Sequence, residues 1–248
     1  MEAGRKRKTE IAALLTAKGS STLCNKNILQ VRNKPLLSYP ADAARRSGFI
    51  ERFYASSDSE EILGIAGGLG YLKIRRPDEL AQPESKHVDA ILHALKVMGE
   101  ADDYQPDILV VLLGNNVTTK TEWIDEGIRH ILNDPTLSAA VPVHNDQDHH
   151  PFRAKRVNAE GLLDAFFDFK GAQISTNRQE LEPCYYLCHN FWVLNVAESV
   201  FGKDGQQPWA FMGKRVKPIV VEECFDVHDE DDIAACEKWL NEQGSSDV

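Results

Sequence analysis

Apolar and polar positions follow two different periods along the first half of this chain. Ile11–Thr16 (IAALLT) is a short apolar run that reads as a buried strand. A loop rich in Gly, Ser, Thr and Asn follows over residues 17–27. Residues 36–46 place apolar side chains three or four apart, as a helix does, and residues 52–56 (RFYAS) read as a second strand. In Ser57-Asp58-Ser59-Glu60-Glu61, small capping residues precede carboxylates, which suits the positive end of a helix. Ile62, Leu63, Ile65, Ala66 and Leu69 give that helix its buried face, and Gly70 stops it. Residues 71–74 form a third short strand. Val88, Ile91, Leu92, Leu95 and Met98 mark an amphipathic helix. Residues 107–113 (DILVVLL) are apolar on both faces, the pattern of a central strand in a parallel sheet.

This alternation predicts a doubly wound, three-layer α/β/α fold around a mainly parallel sheet. Such sheets bind ligands in the crevice beyond the C-terminal ends of their strands. The loops of interest therefore follow Thr16, Ser56, Ile74 and Leu113. Lys18 with Lys26, Arg75 with Arg76, and the segment GNNVTT (114–119) fall in three of those four. The second half is less regular. Residues 138–144 read as a strand, and residues 190–194 and 219–225 as strands returning to the sheet. Between them, about residues 145–185 carry polar loops and the aromatic run DAFFDF, an excursion that suits a dimerisation arm or a lid. Residues 229–243 form a C-terminal helix with an acidic first turn. No repeat or low-complexity linker divides the chain, so one domain is expected over residues 1–248.

Composition narrows the functional classes. The chain has 248 residues, 42% hydrophobic and 27% charged, a globular mix. No apolar run approaches the ~20 residues of a membrane helix, and the basic N-terminus leads into a run too short for a signal-peptide core. The five cysteines (24, 184, 188, 224, 236) complete no zinc-like pattern and read as reduced thiols of a cytoplasmic protein. A net charge of −10 argues against nucleic acid or an anionic membrane as partner. Cations gathered into a few loops of an acidic protein suggest an anion site; the plainer reading is a set of solvated surface charges.

The loop Ala17-Lys18-Gly19-Ser20-Ser21-Thr22-Leu23-Cys24-Asn25-Lys26-Asn27-Ile28 has the composition to hold phosphate. Gly and Ser let backbone N–H groups approach closely, and a lysine near each end can neutralise charge. The spacing is neither that of the ATPase phosphate loop nor GxGxxG. AKGSSTLCNKNI is similar to the A-R-G-G-S-K-G-I-P-R-K-N-I signature of the CMP-sugar synthetases, with one residue fewer and lysine for the leading arginine. NKPLLSY, FYASSDSEEI, RRPDELA, VDAILHAL and DILVVLL resemble that family's following blocks. NRQELEPCYYLCHNFWVLN resembles its R-R-Q-D-L-P-x-x-Y block, and FDVHDEDDIAACE its I-D-I-D-T-x-E-D-L block. The blocks keep order and spacing over about residues 11–240.

The resemblance implies transfer of CMP from CTP to an acidic sugar of the sialic-acid or related nonulosonate kind, with release of pyrophosphate. It implies Lys18 and Lys26 on the triphosphate, Ala17, Gly19, Ser20, Asn27 and Arg76 around the nucleotide, and Asp226 on a metal ion. Lys18, Lys26 and Asp226 would carry catalysis, and a homodimer is the expected assembly. Where the family has a second metal aspartate this chain has His228. Magnesium prefers oxygen ligands, so either Asp229 replaces it, Asp226 and phosphate hold the ion alone, or Mn²⁺ competes with Mg²⁺. Asp226 and Asp229 could also simply cap the last helix. GNNVTT stands where the family has Q-P-T-S-P-L, so Asn115 and Asn116 replace a glutamine that would touch the acceptor, and Pro83 replaces a common aspartate. Arg178, Gln179 and Asn190 are the other acceptor candidates, since an Arg–Gln pair suits a carboxylate or a phosphonate. His149, His150 and Arg153 lie nearby in sequence. No Ser–His–Asp or Cys–His arrangement stands out. A phosphonate or other small acid as acceptor, transfer to a sugar-1-phosphate, and a non-catalytic nucleotide-binding protein are the competing readings.

Overall fold

A computed structural model describes residues 7–19, 26–222, 224–227 and 229–243. In chain order the elements are β1 (Ile11–Thr16), β2 (Gln30–Val31), β3 (Lys34–Pro35), α1 (Ser38–Arg45), β4 (Arg52–Ser57), α2 (Glu60–Gly68), β5 (Leu72–Arg75), α3 (His87–Asp102) and β6 (Ile108–Leu113). There follow α4 (Thr121–Asn133), β7 (Ala139–Asn145), β8 (Lys155–Val157), β9 (Leu163–Ala165), β10 (Tyr185–Leu187), β11 (Phe191–Asn195), β12 (Val216–Val220) and α5 (Glu230–Gln243).

The main sheet runs β5-β4-β1-β6-β11-β7, with β10 also on β7 and β12 along the other edge of β7. β5, β4, β1 and β6 are parallel, β11 is antiparallel to β6 and β7, and β12 is parallel to β7. Alternation of side chains along β1 divides the core in two. Ile11, Ala13 and Leu15 pack in one cluster with Leu37, Ala41, Ile62, Leu63, Ile124 and Ile128 from α1, α2 and α4 and the approach to α1. Ala12 and Leu14 pack in the other with Ile91, Ala94, Leu95 and Met98 of α3 and with Trp192. Helices thus cover both faces, giving the doubly wound three-layer fold the sequence predicts.

The differences in detail have local causes. In α2 the cap is Ser59, whose hydroxyl accepts from the Ile62 N–H. Leu92 of α3 is exposed, and Ala90 and Ala94 take up buried positions instead. β12 lies several residues before the expected 219–225, because Val216 to Val220 pair with Ala139 to Val143. Among the described residues the chain after it makes a single bridge, Asn116 to Asp226. Helix α4 falls where the sequence predicts no element; its Ile124, Ile128 and Ile131 are buried at helical spacing. The excursion folds as a two-stranded β8–β9 hairpin with an aromatic group in which Phe152 meets Phe167 and Phe169, and Phe166 meets Phe167. A third small core, with Val31, Leu36, Val117, Val227, Cys236 and Trp239, seats α5 on the β2–β3 turn and fixes the segment that carries Asp226. Cys184, Cys188, Cys224 and Cys236 are free thiols.

Candidate functional site

β1 lies between β4 and β6, and the chain leaves it toward β4 while β6 arrives from the other side. That reversal opens a crevice at the C-terminal strand ends. The Ala17 N–H donates to the Ser56 carbonyl at 3.2 Å and the Gly114 N–H to the Thr16 carbonyl at 3.1 Å, so three strand exits are tied together. A cleft of about 240 Å³ opens there, with Lys18, Lys26, Asn27, Arg76, His87 and Asn115 on its walls.

The first part of the phosphate-type loop is built by close approach. The Gly19 N–H donates to Asp58 Oδ1 at 2.9 Å, and a Cβ on Gly19 would come within 2.9 Å of the Ser59 Cβ. Asn27 is buried and donates its side-chain amide to the Lys18 carbonyl at 2.8 Å, closing the loop from the other side. Its own carbonyl accepts from the Leu37 N–H. Asn27 therefore shapes the loop. Ser20 lies outside the described residues, as does Cys24.

Three cations meet at the cleft. Lys18 donates to the Gln82 carbonyl at 2.7 Å, and desolvation followed by the nearby Arg76 charge lowers its pKa. Arg76 is only 2% exposed. Its Nε donates to Ser56 Oγ at 3.2 Å and another guanidinium nitrogen to the Ser56 carbonyl at 2.8 Å. Burial lowers its pKa, and the charge of Asp58 offsets part of that. Among the described residues no carboxylate forms an ion pair with Arg76. A buried charge without a bonded counter-ion is costly, and here it faces a cleft that an anionic ligand can enter.

His87 opens α3 and also lines the cleft. Its Nε2 is 3.0 Å from Thr16 Oγ1, and its ring meets Trp192 edge-on at 4.9 Å between centroids. Desolvation, with the Arg76, Lys18 and His189 charges, pushes its pKa down to about 3. Sequence reasoning passes over both Thr16 and His87. They belong to no spacing motif, and their contact spans the fold.

On the far wall Asn115 donates to Asp226 Oδ1, and the Asn115 carbonyl accepts from the Val227 N–H at 3.0 Å. The last segment is thereby fastened to the exit of β6. His228 lies outside the described residues. Among the described residues no group of three or more His, Cys, Asp or Glu side chains is placed to hold a metal ion. A lone carboxylate still fits magnesium, which takes one or two carboxylates and completes its shell with water and phosphate oxygens.

The acceptor candidates divide. Asn115 lines the cleft. Asn116 is fully buried; its Oδ1 accepts from the Thr118 N–H and hydroxyl at 2.8 and 2.7 Å, and its amide nitrogen contacts Cys224 Sγ at 3.5 Å. It ties a turn rather than facing a ligand. Asn190 is also fully buried, with Oδ1 accepting from the Phe191 N–H at 3.1 Å and Nδ2 without a partner among the described residues. Arg178 and Gln179 sit exposed on the excursion, where Arg178 pairs with Asp148, away from the cleft lining. His149 bonds Asp146 and His150 caps a turn through the Phe152 N–H, so both serve loop geometry.

A doubly wound sheet with an anion-seeking cleft at its switch point places the chain in the α/β class that binds nucleotides. Residues 12–190 match the cytidylyltransferase family model, and the chain belongs to that family. It is 36% identical over 98 residues to an N-acylneuraminate cytidylyltransferase of Escherichia coli O18:K1:H7, covering 39% of this chain and 23% of that protein. It is 27% identical over 171 residues to an N-acylneuraminate cytidylyltransferase of Streptococcus agalactiae serotype V, covering 68% of this chain and 39% of that protein. The chain thus spans less than half the length of these curated relatives. In fold it is similar to a CMP:2-keto-3-deoxy-manno-octonic acid synthetase solved with CTP, at a TM-score of 0.66 and 15% identity over 97% of this chain and 100% of that one. Among the described residues no helix is long and apolar enough to cross a membrane.

Proposed function

We propose that this protein transfers CMP from CTP to an acidic sugar of the nonulosonate class and releases pyrophosphate. The observation that carries this is Arg76, a buried guanidinium with no bonded counter-ion among the described residues, in one cleft with Lys18 and Lys26. The acceptor hydroxyl attacks the α-phosphorus and loses its proton to water, the bond to the bridging oxygen breaks, and pyrophosphate leaves with the electron pair. Charge grows on phosphate oxygens, so fixed cations and placement supply the catalysis. Lys18 and Lys26 hold the triphosphate, Ala17, Gly19, Ser20 and Asn27 form its loop, and Arg76 lies on the nucleotide. Asp226, with His228 beside it in sequence, would hold a magnesium ion, and that ion would neutralise phosphate charge.

The acceptor side is thin within one chain, since only Asn115 of the acceptor candidates lines the cleft. Our reading is that a second copy supplies Arg178 and Gln179, docking through the excursion. Its exposed Val157 (69%), Leu163 (71%) and Phe166 (54%) support an apolar interface. The absence of a side chain at Gly114 and the burial of Asn116 also favour a smaller acid, such as a phosphonate, as the second reading. Pyrophosphate release from CTP with Mg²⁺ should be followed against a panel of nonulosonates, ulosonates and phosphonates. Release with a nonulosonate is the expected result. No release with any acid would leave a binding protein and end the enzymatic reading.

A further inference from the structure

The Thr16 hydroxyl lies 3.1 Å from the Leu112 carbonyl oxygen and 3.0 Å from His87 Nε2. A hydroxyl has one hydrogen and a carbonyl oxygen has none. Both contacts are satisfied together only if Thr16 donates to Leu112 and the imidazole donates to Thr16. His87 therefore carries its hydrogen on Nε2 and presents Nδ1 as a bare acceptor. Among the described residues no donor reaches Nδ1, and this nitrogen is not among the enclosed polar atoms that lack a partner. His87 lines the cleft, so the nitrogen turned away from Thr16 is the one open to a ligand. Leu80 and Ala90 add apolar surface to the lining of the cleft.

The cations of the cleft cannot favour cytosine at C4. Lys18, Lys26 and Arg76 only donate, and the phosphates they attract are common to CTP and UTP. The two bases differ at C4, where cytosine has an amino donor and uracil a carbonyl acceptor. Against a bare acceptor the first gains a hydrogen bond, while the second sets two lone pairs face to face.

We infer that His87 reads the 4-amino group of cytosine through Nδ1 and is the side chain that selects CTP over UTP. The inference rests on the nucleotide reading above and names the residue behind its specificity. Thr16 acts as a positioning residue, fixing the tautomer from behind.

The test is calorimetric titration of CTP, UTP and the triphosphate of the 2-pyrimidinone riboside, which lacks the 4-amino group. Wild type should be compared with His87→Ala and His87→Phe; the latter keeps a ring against Trp192. Wild type should bind CTP roughly ten- to a hundredfold tighter than the other two. Both variants should bind all three within about threefold of each other, because the shared triphosphate contacts remain. Far-ultraviolet circular dichroism identifies a variant that has lost its fold, and the other variant then carries the comparison. A CTP preference that survives in either folded variant overturns the role of His87 while leaving the cytidylyltransferase reading intact. A wild type that binds CTP and UTP alike overturns both.

Discussion

Replacing His87 by glutamine should flatten part of the acid sensitivity of this protein. In the native state the imidazole is held neutral by desolvation against Trp192 and Thr16, with Arg76, Lys18 and His189 adding positive charge around it, and its pKa falls to about 3. In the unfolded chain it returns to about 6.5. Below that value the unfolded state binds more protons than the native state, so stability declines as pH falls from about 6.5 toward about 3. Between pH 8 and pH 5 the loss from this one group is about 2 kcal/mol, from roughly 1.36 kcal/mol per unit over the 1.5 units separating pH 5 from the unfolded value. The ring is partly open to the cleft, and solvent reaching it would soften the depression. The figure hardly changes, since pH 5 stays above the native pKa even if that rises by about a unit. Urea unfolding at pH 8 and pH 5 measures the effect, with an unchanged slope confirming that the same surface is exposed. Wild type should lose about 2 kcal/mol more than His87→Gln over this interval, because carboxylates and the other histidines are common to both. Equal losses, within ~0.5 kcal/mol, would show that His87 is not held neutral in the native state.

Lys26→Ala should fold normally and raise the barrier to CMP transfer by about 2–4 kcal/mol, the value of a charge-assisted contact to developing phosphate charge; single-turnover pyrophosphate release at wild-type speed would take Lys26 out of the triphosphate site. Asp226→Asn should keep the Asn115 tether nearly in place, as an amide oxygen still accepts, yet remove turnover with both Mg²⁺ and Mn²⁺. If the folded variant turns over at a normal rate with either ion, Asp226 anchors structure and not metal. Gly127→Ala in α4 should destabilise by about 1–2 kcal/mol despite the better helix propensity of alanine, because the added Cβ would lie 2.7 Å from Val193 Cγ2 and 3.0 Å from Ile219 Cδ1. A rise in the urea midpoint would show that α4 stands further from β11 and β12 than the structure has it.

What the sequence can reveal depends on whether a residue's role is local. β1 and β6 are legible because both faces of a central parallel strand are buried, so nearly every position is apolar. β12 is not: as an edge strand it carries Lys217 and Pro218, and its register is set by β7, more than seventy residues earlier. Helix α4 is not legible either; its buried face is Ile124, Gly127, Ile128 and Ile131. That glycine is there to let Val193 and Ile219 approach, a reason found only on the neighbouring strands. The same division runs through the cleft. Cations in loops after strands are visible because phosphate chemistry demands charge in those loops. Asn115, Asn116 and Asn190 look equivalent as amides, and burial alone separates the one on the cleft wall from two that are sealed inside. His87 is the extreme case. Its chemistry depends on a hydroxyl 71 residues away, whose single proton is claimed by the Leu112 carbonyl on a third element. A histidine at the start of an amphipathic helix could be a base, a cation or a surface residue. The proton count at Thr16 sets its tautomer and desolvation keeps it neutral, and an acceptor so placed can distinguish an amino group from a carbonyl at the same ring position.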